Sequence, residues 1–344
     1  MSDTSFFCIA FGVGTQNSAG DWLEVYYPAP IFKPSAELVA ALSKVLAYSA
    51  GNVALPLKNN QVAEVLAVLK AAGYPTEFLA PLVDSQKPLV AMFIATDEAL
   101  TSTPEAYLKL HLLSMRYVKP HGINLSGIFP LLPNVAWTNQ GAIDLKELPQ
   151  RQLQARLKGD VLEVSSVDKF PKMTNYVVPS GVRIAHTARV RLGAYLGEGT
   201  TVMHEGFINF NAGTEGTSMV EGRISAGVMV GKGSDLGGGC STMGTLSGGN
   251  SVVISVGEHC LLGANSGLGI PLGDRCTIEA GLYITAGSKV NLIDENNSLV
   301  KTLKARDLAG HSDLLFRRNS QTGALECKTN RQAIALNAEL HAHN

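Results

Sequence analysis

The segment IAHTARVRLGAYLGEGTTVMHEGFINF (184–210) repeats itself every six residues, and the repeat continues with interruptions to residue 290. The recurring position is aliphatic, at Ile184, Val190, Leu196, Val202, Ile208, Ile224, Val230, Leu236, Val256, Leu262, Leu268, Leu272, Ile278, Ile284 and Val290. An amphipathic helix would repeat near 3.6 residues and a half-buried strand near 2, so neither explains a period of six. A hexapeptide parallel β-helix does, because each six-residue side of its triangular coil points one side chain inward. The sequence predicts such a coil over residues 181–290.

Small residues follow most of these aliphatic positions by four, where the coil turns a tight corner. They are Ala188, Ala194, Thr200, Gly206, Ala212, Ser234, Cys240, Cys260, Ser266, Cys276 and Ser288. Three of the five cysteines belong to this set, and the other two are Cys8 and Cys327. The chain has no C-x-x-C pair, and its cysteine count is odd. We interpret the three corner cysteines as small apolar residues in a reducing compartment, not as disulfides or metal ligands.

The composition, 45% hydrophobic and 17% charged over 344 residues, is that of a globular protein with more than one domain. The formal net charge of −1, without a basic stripe, argues against nucleic acid as a partner. The opening residues MSDTSFFCIAFGVG carry no positive region, and their apolar run is too short for a signal peptide or a membrane span. The sequence therefore favours a cytoplasmic protein that is not attached to a membrane.

Residues 1–100 are predicted to form a small α/β domain ahead of the coil. Its predicted elements are strands at 4–14 and 88–95 and helices at about 35–48 and 61–72. Ser35 is the expected N-cap of the first helix. Asn60 and Gly73 are expected to open and close the second helix.

Residues 101–180 are predicted to be a connecting region of helices and loops. Its first helix opens at Thr103-Pro104-Glu105, which supplies a cap, a proline and an acid in the first turn, and continues to about Arg116. A polar helix at about 145–157 and a strand near 160–167 follow. Residues 291–344 are predicted to cap the open end of the coil, which would otherwise expose unpaired strand edges, and to end in a tail.

The repeat loses its phase twice, and both places predict segments that leave the coil. The interval from Ile208 to Ile224 is sixteen residues and that from Leu236 to Val256 is twenty, so neither is a multiple of six. The predicted interruptions are 209–218 and 243–251, both rich in Gly, Asn, Ser and Thr. Insertions in repeat folds commonly form the walls of a site.

Glu205 and Glu221 flank the first of these interruptions, and Arg223 follows Glu221 by two residues. A carboxylate beside an arginine is typical of a general base or nucleophile with an oriented partner, and equally of a surface ion pair. His186 and His204 are one coil of eighteen residues apart, which suggests a zinc site. Zinc needs a third ligand, and the position one coil further on is Gly222.

A basic cluster occupies the segment after the coil, at Lys301, Lys304, Arg306, Arg317 and Arg318. Arginine forks suit phosphate oxygens, so the cluster favours the binding of nucleotide phosphates at the mouth of a groove between coils. A solvated basic surface would have the same pattern.

Four stretches make the chain resemble the tetrahydrodipicolinate N-succinyltransferases, in their longer form with a large N-terminal domain. They are MHEGFINFNAGTEGTSMVEGRISAGVMVGKGSDLGGG (203–239), CLLGANSGLGIPLGD (260–274), EAGLYITAG (279–287) and LLFRRNS (314–320). The resemblance implies a left-handed parallel β-helix and a homotrimer with active sites between subunits. It also implies transfer of succinyl from succinyl-CoA to the amino group of ring-opened tetrahydrodipicolinate, in lysine and diaminopimelate biosynthesis.

The resemblance further implies roles for individual residues. Glu221, in MVEGR, matches the catalytic glutamate of the family, as nucleophile or general base. The positions that match succinyl-CoA contacts are Arg223, Gly238, Ser241, Ala264, Glu279, Ala280, Gly287, Lys304, Arg317, Arg318, Asn319 and Ser320. Glu205, in MHEGF, matches a magnesium ligand on the trimer axis. The remaining alternatives are another hexapeptide acyl-CoA transferase, such as an acetyltransferase, and a non-catalytic metal-binding β-helix.

Overall fold

The computed structural model describes residues 6–244 and 252–329, and its chain divides into two compact units. The first unit comprises the residues up to Leu112 together with Ile123–Pro171. The second comprises Leu113–Gly122 and the residues from Lys172 onward. Within the described ranges, none of the helices has the length and apolar character needed to cross a bilayer.

The first unit begins with a sheet and two helices, so the predicted mixture of strands and helices is present, but every strand pair of this sheet is antiparallel. The elements are β1 (Cys8–Gln16), β2 (Trp22–Tyr26), β3 (Ile31–Phe32), α1 (Ala36–Leu46), β4 (Val53–Leu57), α2 (Asn59–Ala71) and β5 (Leu89–Ile94). The strand order is β2-β1-β5-β4, with β3 also paired to β1. Leu38, Leu42 and Leu69 of the helices share one apolar cluster with Phe11 and Phe93 of the sheet. Burial of this shared face holds the helices on the sheet.

The ends of α1 and α2 test the capping predictions. Ser35 caps α1 as predicted, because its Oγ accepts a hydrogen bond of 3.2 Å from the N–H of Leu38. The prediction that Asn60 opens α2 is wrong. Lys58 is the N-cap, and the side-chain oxygen of Gln61 accepts a hydrogen bond of 3.0 Å from the Lys58 N–H. Gly73 follows the helix with φ +78°, a left-handed conformation that suits glycine at a helix end.

Helix α3 (Thr103–Ser114) begins where the sequence predicts and ends two residues before the predicted Arg116. Arg116 itself has φ +67°, which stops the helix. Nearly every residue of α3 from Ala106 onward is buried, including Lys109 and His111. The helix is therefore an internal element, with polar groups that need partners inside the protein.

The rest of the first unit contains α4 (Ile128–Leu131), β6 (Val135–Thr138), β7 (Gly141–Asp144), α5 (Leu148–Leu157) and β8 (Val164–Asp168). The three strands form a separate antiparallel sheet in the order β7-β6-β8. Helix α5 and strand β8 confirm the polar helix and the strand predicted in this region, with boundaries that differ by a few residues.

His111 is held neutral inside the first unit, which predicts a loss of stability in mild acid. Its Nε2 accepts a hydrogen bond of 3.3 Å from the Tyr27 N–H, and its Nδ1 donates to the Tyr107 carbonyl oxygen at 2.7 Å. Burial lowers the pKa of His111 to about 4, although the hydrogen bond to Tyr107 acts in the opposite direction. An unfolded histidine titrates near ~6.5. Between these values the unfolded chain binds a proton that the folded chain does not, so stability is full above pH ~6.5 and falls by roughly 3 kcal/mol towards pH ~4.

The measurement is urea unfolding of the parent protein and of His111→Gln at several pH values between ~7 and ~4. The variant should be less stable at neutral pH but should lose the acid-dependent part of the decrease. His186→Gln, which replaces an exposed histidine, is the matched control and should keep the parent profile. An identical pH profile in the parent and in His111→Gln would contradict the prediction.

The second unit is the predicted coil. Its strands are β9 (Arg183–Ile184), β10 (Tyr195–Leu196), β11 (Thr200–Val202), β12 (Phe207–Ile208), β13 (Gly213–Thr214), β14 (Ser218–Val220), β15 (Arg223–Ile224), β16 (Met229–Val230), β17 (Asp235–Leu236), β18 (Ser241–Thr242), β19 (Ser255–Val256), β20 (Leu261–Leu262), β21 (Gly267–Gly269), β22 (Thr277–Ile278) and β23 (Tyr283–Thr285). The described strands form three parallel sheets, one for each side of the triangle. The first sheet runs β9-β11-β14-β17-β20-β22, the second β12-β15-β18-β21-β23 and the third β10-β13-β16-β19.

The predicted interruption at 209–218 is wrong, because the coil passes through it in phase. Thr214, in β13, pairs with Leu196 and Val230 and is fully buried at an inward position. Its hydroxyl lies 2.6 Å from the hydroxyl of Thr200, so the polar group has a partner inside the coil. The phase is lost later, between the inward residues Val220 and Ile224, where one side of the triangle is two residues short.

The second predicted interruption, 243–251, coincides with a true insertion. Ladder partners across it, such as Met229 and Ser255, are 26 residues apart in sequence, against 16 for Gly213 and Met229. Most of the insertion, residues 245–251, lies outside the described part of the chain.

After the coil come β24 (Lys289–Ile293), β25 (Leu299–Lys304), β26 (Leu314–Arg318) and β27 (Leu325–Thr329). Strand β26 pairs in parallel with β22, antiparallel with β27, and so covers the last edge of the first sheet. The predicted tail lies beyond the described residues. All five cysteines are buried free thiols, which agrees with the interior positions predicted for Cys240, Cys260 and Cys276.

Candidate active site

One corner of the coil carries six of the fourteen residues to which the resemblance assigns roles. It joins the first sheet to the second, and we call it the glutamate corner. It consists of the segments 203–206, 221–222, 237–240, 263–266 and 279–282. Parallel pairing of the flanking strands stacks these segments on successive coils. The coil therefore aligns Glu205, Glu221, Gly238, Ala264 and Glu279, which are far apart in sequence.

Glu221 presents its carboxylate along this corner. Its backbone N–H donates to the Leu236 carbonyl at 2.8 Å, which fixes the residue to the next coil. Its Oε2 lies above Gly238, 3.5 Å from the place that a Cβ would occupy there. The residue is half-buried, and within residues 6–244 and 252–329 its carboxylate has neither a hydrogen bond nor an ion pair. The alternative interpretation, a surface ion pair with Arg223, is therefore not supported.

On the coils after Glu221, the glutamate corner carries three backbone N–H groups that have no hydrogen-bond acceptor in the described part of the chain. The N–H groups of Gly238, Ala264 and Ala280 donate to no acceptor among the described residues, whereas their chain neighbours Gly237, Gly263 and Gly281 are bonded. Ala264 and Ala280 are exposed and Gly238 is half-buried, so none of these three residues belongs to the interior of the coil. An aligned row of this kind suits the amide carbonyls of an extended ligand or a developing oxyanion.

The second sheet adds an outward row beside the glutamate corner. Arg223 pairs with Ser241, Ser241 with Gly267, and Gly267 with Tyr283, so these four residues follow one another across the sheet. Arg223 is exposed and Ser241 half-buried. The sequence reasoning singled out Arg223 and Ser241 but missed Gly267 and Tyr283. The offset that these two share with Arg223, one residue before an inward aliphatic, is the signal that would have found them.

The C-terminal strands bring a turn to the end of the glutamate corner. The Glu279 carboxylate accepts a hydrogen bond of 2.6 Å from the Arg318 N–H, which ties β26 to the corner. The Arg317 guanidinium donates to the Glu326 carboxylate at 2.9 and 3.0 Å, and Asn319 donates to the same carboxylate at 2.8 Å. The hydrogen bond from Asn319 lowers the pKa of Glu326, and the hydrogen bond and positive charge of Arg317 lower it further. Arg318 and Ser320 remain exposed.

Gly287 and Lys304 lie at the next corner of the triangle, on the other margin of the second sheet. Lys289 pairs with Lys304, and the Ala305 N–H donates to the Ser288 carbonyl at 2.8 Å. Both Gly287 and Lys304 are exposed. The predicted CoA contacts thus lie at both margins of the second sheet, with Arg223 and Ser241 on the sheet between them.

Glu205 and the two stacked histidines do not form a metal site within one described chain. Glu205 is 82% exposed, and its nearest charged partner is Arg189, with 3.8 Å between Arg189 Nη2 and Glu205 Oε2. His186 and His204 are in register on adjacent coils, and both are exposed. Nowhere in the described ranges do three or more His, Cys, Asp or Glu side chains converge as ligands.

Comparisons with known proteins match both the first unit and the coil. Residues 132–172 match the family "Tetrahydrodipicolinate N-succinyltransferase middle", and residues 253–286 match "Hexapeptide repeat of succinyl-transferase". A 2,3,4,5-tetrahydropyridine-2,6-dicarboxylate N-succinyltransferase of Pseudomonas putida is 70% identical over 345 residues and covers all of both chains. The Vibrio cholerae protein of that name is 58% identical and covers 99% of this chain and all of its own.

A solved structure is similar over nearly the whole chain. It is a Campylobacter jejuni protein described as a 2,3,4,5-tetrahydropyridine-2-carboxylate N-succinyltransferase, 31% identical, with a TM-score of 0.88. The alignment covers 96% of this chain and 94% of that one. The hexapeptide match and this neighbour fit a left-handed β-helix preceded by an N-terminal region.

The coil, and a corner that presents a carboxylate beside free backbone N–H groups, define the class of hexapeptide-repeat acyltransferases. Within that class, the chain belongs to the family of 2,3,4,5-tetrahydropyridine-2,6-dicarboxylate N-succinyltransferases.

Proposed function

We propose that this protein transfers the succinyl group of succinyl-CoA to the amino group of ring-opened tetrahydrodipicolinate, L-2-amino-6-oxopimelate, in lysine and diaminopimelate biosynthesis. The observation that carries the proposal is the carboxylate of Glu221 beside the row of backbone N–H groups, all of them without hydrogen-bond partners in the part of the chain that the structure describes. The 70% identity to the Pseudomonas putida succinyltransferase supports the substrate pair.

Glu221 has two possible roles that the reaction can use. As a general base, it takes the proton of the amine while nitrogen bonds to the thioester carbon, and the C–S bond breaks to release CoA thiol. As a nucleophile, its Oε attacks the thioester carbon and releases CoA, and the amine then displaces the glutamate from the anhydride. In either case we assign the stabilisation of negative charge on the carbonyl oxygen to the Gly238 N–H, which donates to no acceptor among the described residues.

The remaining residues of the site suit the body of succinyl-CoA. The N–H groups of Ala264 and Ala280 suit the amides of the pantetheine arm. Lys304 and Arg318 are exposed cations near opposite ends of β23, and they suit the phosphates.

The test is the release of free thiol from succinyl-CoA with and without the acceptor, alongside acetyl-CoA. Acceptor-dependent release from succinyl-CoA alone supports the proposal. Release from acetyl-CoA at an equal rate would instead indicate another hexapeptide acyltransferase, and no release from either donor would indicate a non-catalytic β-helix.

We also propose that the protein is a homotrimer in the cytoplasm, with active sites between subunits, as the resemblance implies. The five buried free thiols are consistent with a reducing compartment. Light scattering should give three times the chain mass of 36.4 kDa. A magnesium ion on the trimer axis would be held by three copies of Glu205, whose side chain is 82% exposed in the single chain. Magnesium titration of the trimer, with Glu205→Gln as the comparison, tests this part.

Arg317→Ala should raise the Michaelis constant for succinyl-CoA by about tenfold and lower kcat much less. The guanidinium holds Glu326 and thereby the turn that contains Arg318 to Ser320, so its loss loosens a phosphate-binding segment without touching Glu221. Steady-state kinetics provides the measurement. Arg275→Ala is the matched control, because Arg275 pairs with Asp313 at a different corner. An unchanged Michaelis constant would exclude this turn from donor binding.

A further inference from the structure

Strand β21 carries glycine at both of its outward positions, Gly267 and Gly269, and both are covered by large side chains. A Cβ at Gly267 would overlap the ring of Tyr283, and one at Gly269 would lie 2.9 Å from the sulfur of Met243. Both glycines are buried although they face outward. The missing side chains therefore create a shallow seat on the second sheet, and the Tyr283 ring lies in it.

The ring is only partly covered. Tyr283 is 49% exposed in the chain, and its ring lies over Gly267. A half-exposed aromatic ring offers a large and rigid contact surface at a low cost in side-chain entropy. Its position is informative, because the predicted donor contacts Ala280 and Gly287 stand three residues before it and four residues after it.

The distance between Tyr283 and Glu221 decides which part of the donor the Tyr283 ring would contact. Arg223, Ser241, Gly267 and Tyr283 stand on four neighbouring strands, so three strand spacings of ~4.8 Å place the Tyr283 backbone about 14 Å from the coil of Glu221, and two spacings place its ring, over Gly267, about 10 Å away. A group at this distance has no access to the thioester carbon. It lies instead between the end of the glutamate corner, where the Arg318 N–H is bonded to Glu279, and Lys304 at the next corner, where the non-reacting arm of the donor would pass.

We propose that Tyr283, seated on Gly267, is a binding residue for the acyl-CoA donor and contacts its non-reacting arm. The proposal rests on the proposed function, because it takes succinyl-CoA as the ligand of this face. The contact is made equally in the ground state and the transition state, so it lowers the Michaelis constant without raising kcat.

The experiment combines kinetics with direct calorimetric binding of CoA itself. Tyr283→Ala should weaken CoA binding and raise the Michaelis constant for succinyl-CoA by about tenfold, with kcat within about twofold. Tyr283→Phe should remain near the parent, because the ring and not the hydroxyl makes the contact. Gly267→Ala should reproduce the loss, because its methyl group displaces the ring while pointing away from the coil interior.

Tyr195→Ala is the matched control, since Tyr195, like Tyr283, precedes an inward aliphatic residue but lies on the third sheet. It should bind CoA as the parent does. Unchanged CoA affinity in both Tyr283→Ala and Gly267→Ala would overturn the proposal. So would a loss of affinity that occurs only together with a change of oligomeric state by light scattering, because the ring would then serve subunit contacts.

The proposed function and the proposed role of Tyr283 are tested by different measurements. If the parent releases no thiol from succinyl-CoA, the proposed function fails. The CoA affinities of the variants still decide the role of Tyr283.

Discussion

Glu221→Gln should reduce succinyl transfer by roughly a thousandfold while leaving the coil and CoA binding intact. Glutamine keeps the size of the side chain but neither takes up a proton at neutral pH nor forms an anhydride. The fold should tolerate the change, because the carboxylate has no hydrogen bond or ion pair within the described residues and the backbone bond to Leu236 is unaffected.

The measurement is acceptor-dependent thiol release under saturating donor, with CoA affinity determined in parallel. Glu258→Gln makes the same substitution at an exposed position of another corner and should retain full activity. Turnover close to the parent in a trimeric Glu221→Gln variant would remove Glu221 from the mechanism.

A single-turnover experiment without the acceptor separates the two roles of Glu221. If the carboxylate is the nucleophile, mixing enzyme with succinyl-CoA should release up to one equivalent of thiol per site in a burst, and Glu221→Gln should abolish the burst. If it is the general base, no thiol should appear until the amine is added. Both outcomes are compatible with the loss of turnover, so the burst alone distinguishes them.

The coil was predictable because a period of six residues is typical of one fold. The position at which the repeat changes phase was not predictable. Asparagine, glycine and threonine in 209–218 resemble a loop, but Thr214 satisfies its hydroxyl against Thr200 and continues the repeat. The shortened side between Val220 and Ile224 leaves no mark in composition, since a corner can lose two residues without losing a ladder partner. Only the pairing register shows where the phase changes.

Because the change of phase was assigned to the wrong residues, the geometry of the site was not predicted either. The glutamate corner follows directly from the inward residues, because each of its later segments begins one residue after Val220, Leu236, Leu262 or Ile278. Misplacing the phase change removed Val220 from that series. The resemblance supplied the residues of the corner one by one, but not the row of free N–H groups or the seat of Tyr283.

In the first unit, hydrophobic patterns located most elements but not the polar interior of α3. Lysine is rarely buried completely, so no sequence pattern indicated that Lys109 lies inside the protein. Its burial becomes intelligible only with the loops that surround it, because they supply acceptors from residues 97, 98 and 124.

Lys109→Met should destabilise the first unit by about 3–5 kcal/mol, a large part of the stability of a typical domain. The Lys109 Nζ donates to Asp97 Oδ1 at 2.8 Å and to the carbonyl oxygens of Glu98 and Asn124 at 2.6 and 2.9 Å. It also lies 3.7 Å from the fully buried carboxylate of Glu105. Methionine matches the length and volume of lysine, so the expected cost comes from acceptors and a buried negative charge that lose their partner, not from a cavity.

Urea unfolding monitored by circular dichroism measures this cost, and Lys70→Met is its matched control, because Lys70 lies exposed on helix α2. The control should change stability by less than about 0.5 kcal/mol. The double variant Lys109→Met/Glu105→Gln locates the cause. If an uncompensated Glu105 charge dominates, neutralising it should recover part of the loss, so the two substitutions should cost less together than their sum. Additive costs would show that Glu105 contributes independently of Lys109. A Lys109→Met variant as stable as the parent would mean that the loops satisfy their acceptors without the buried ammonium group.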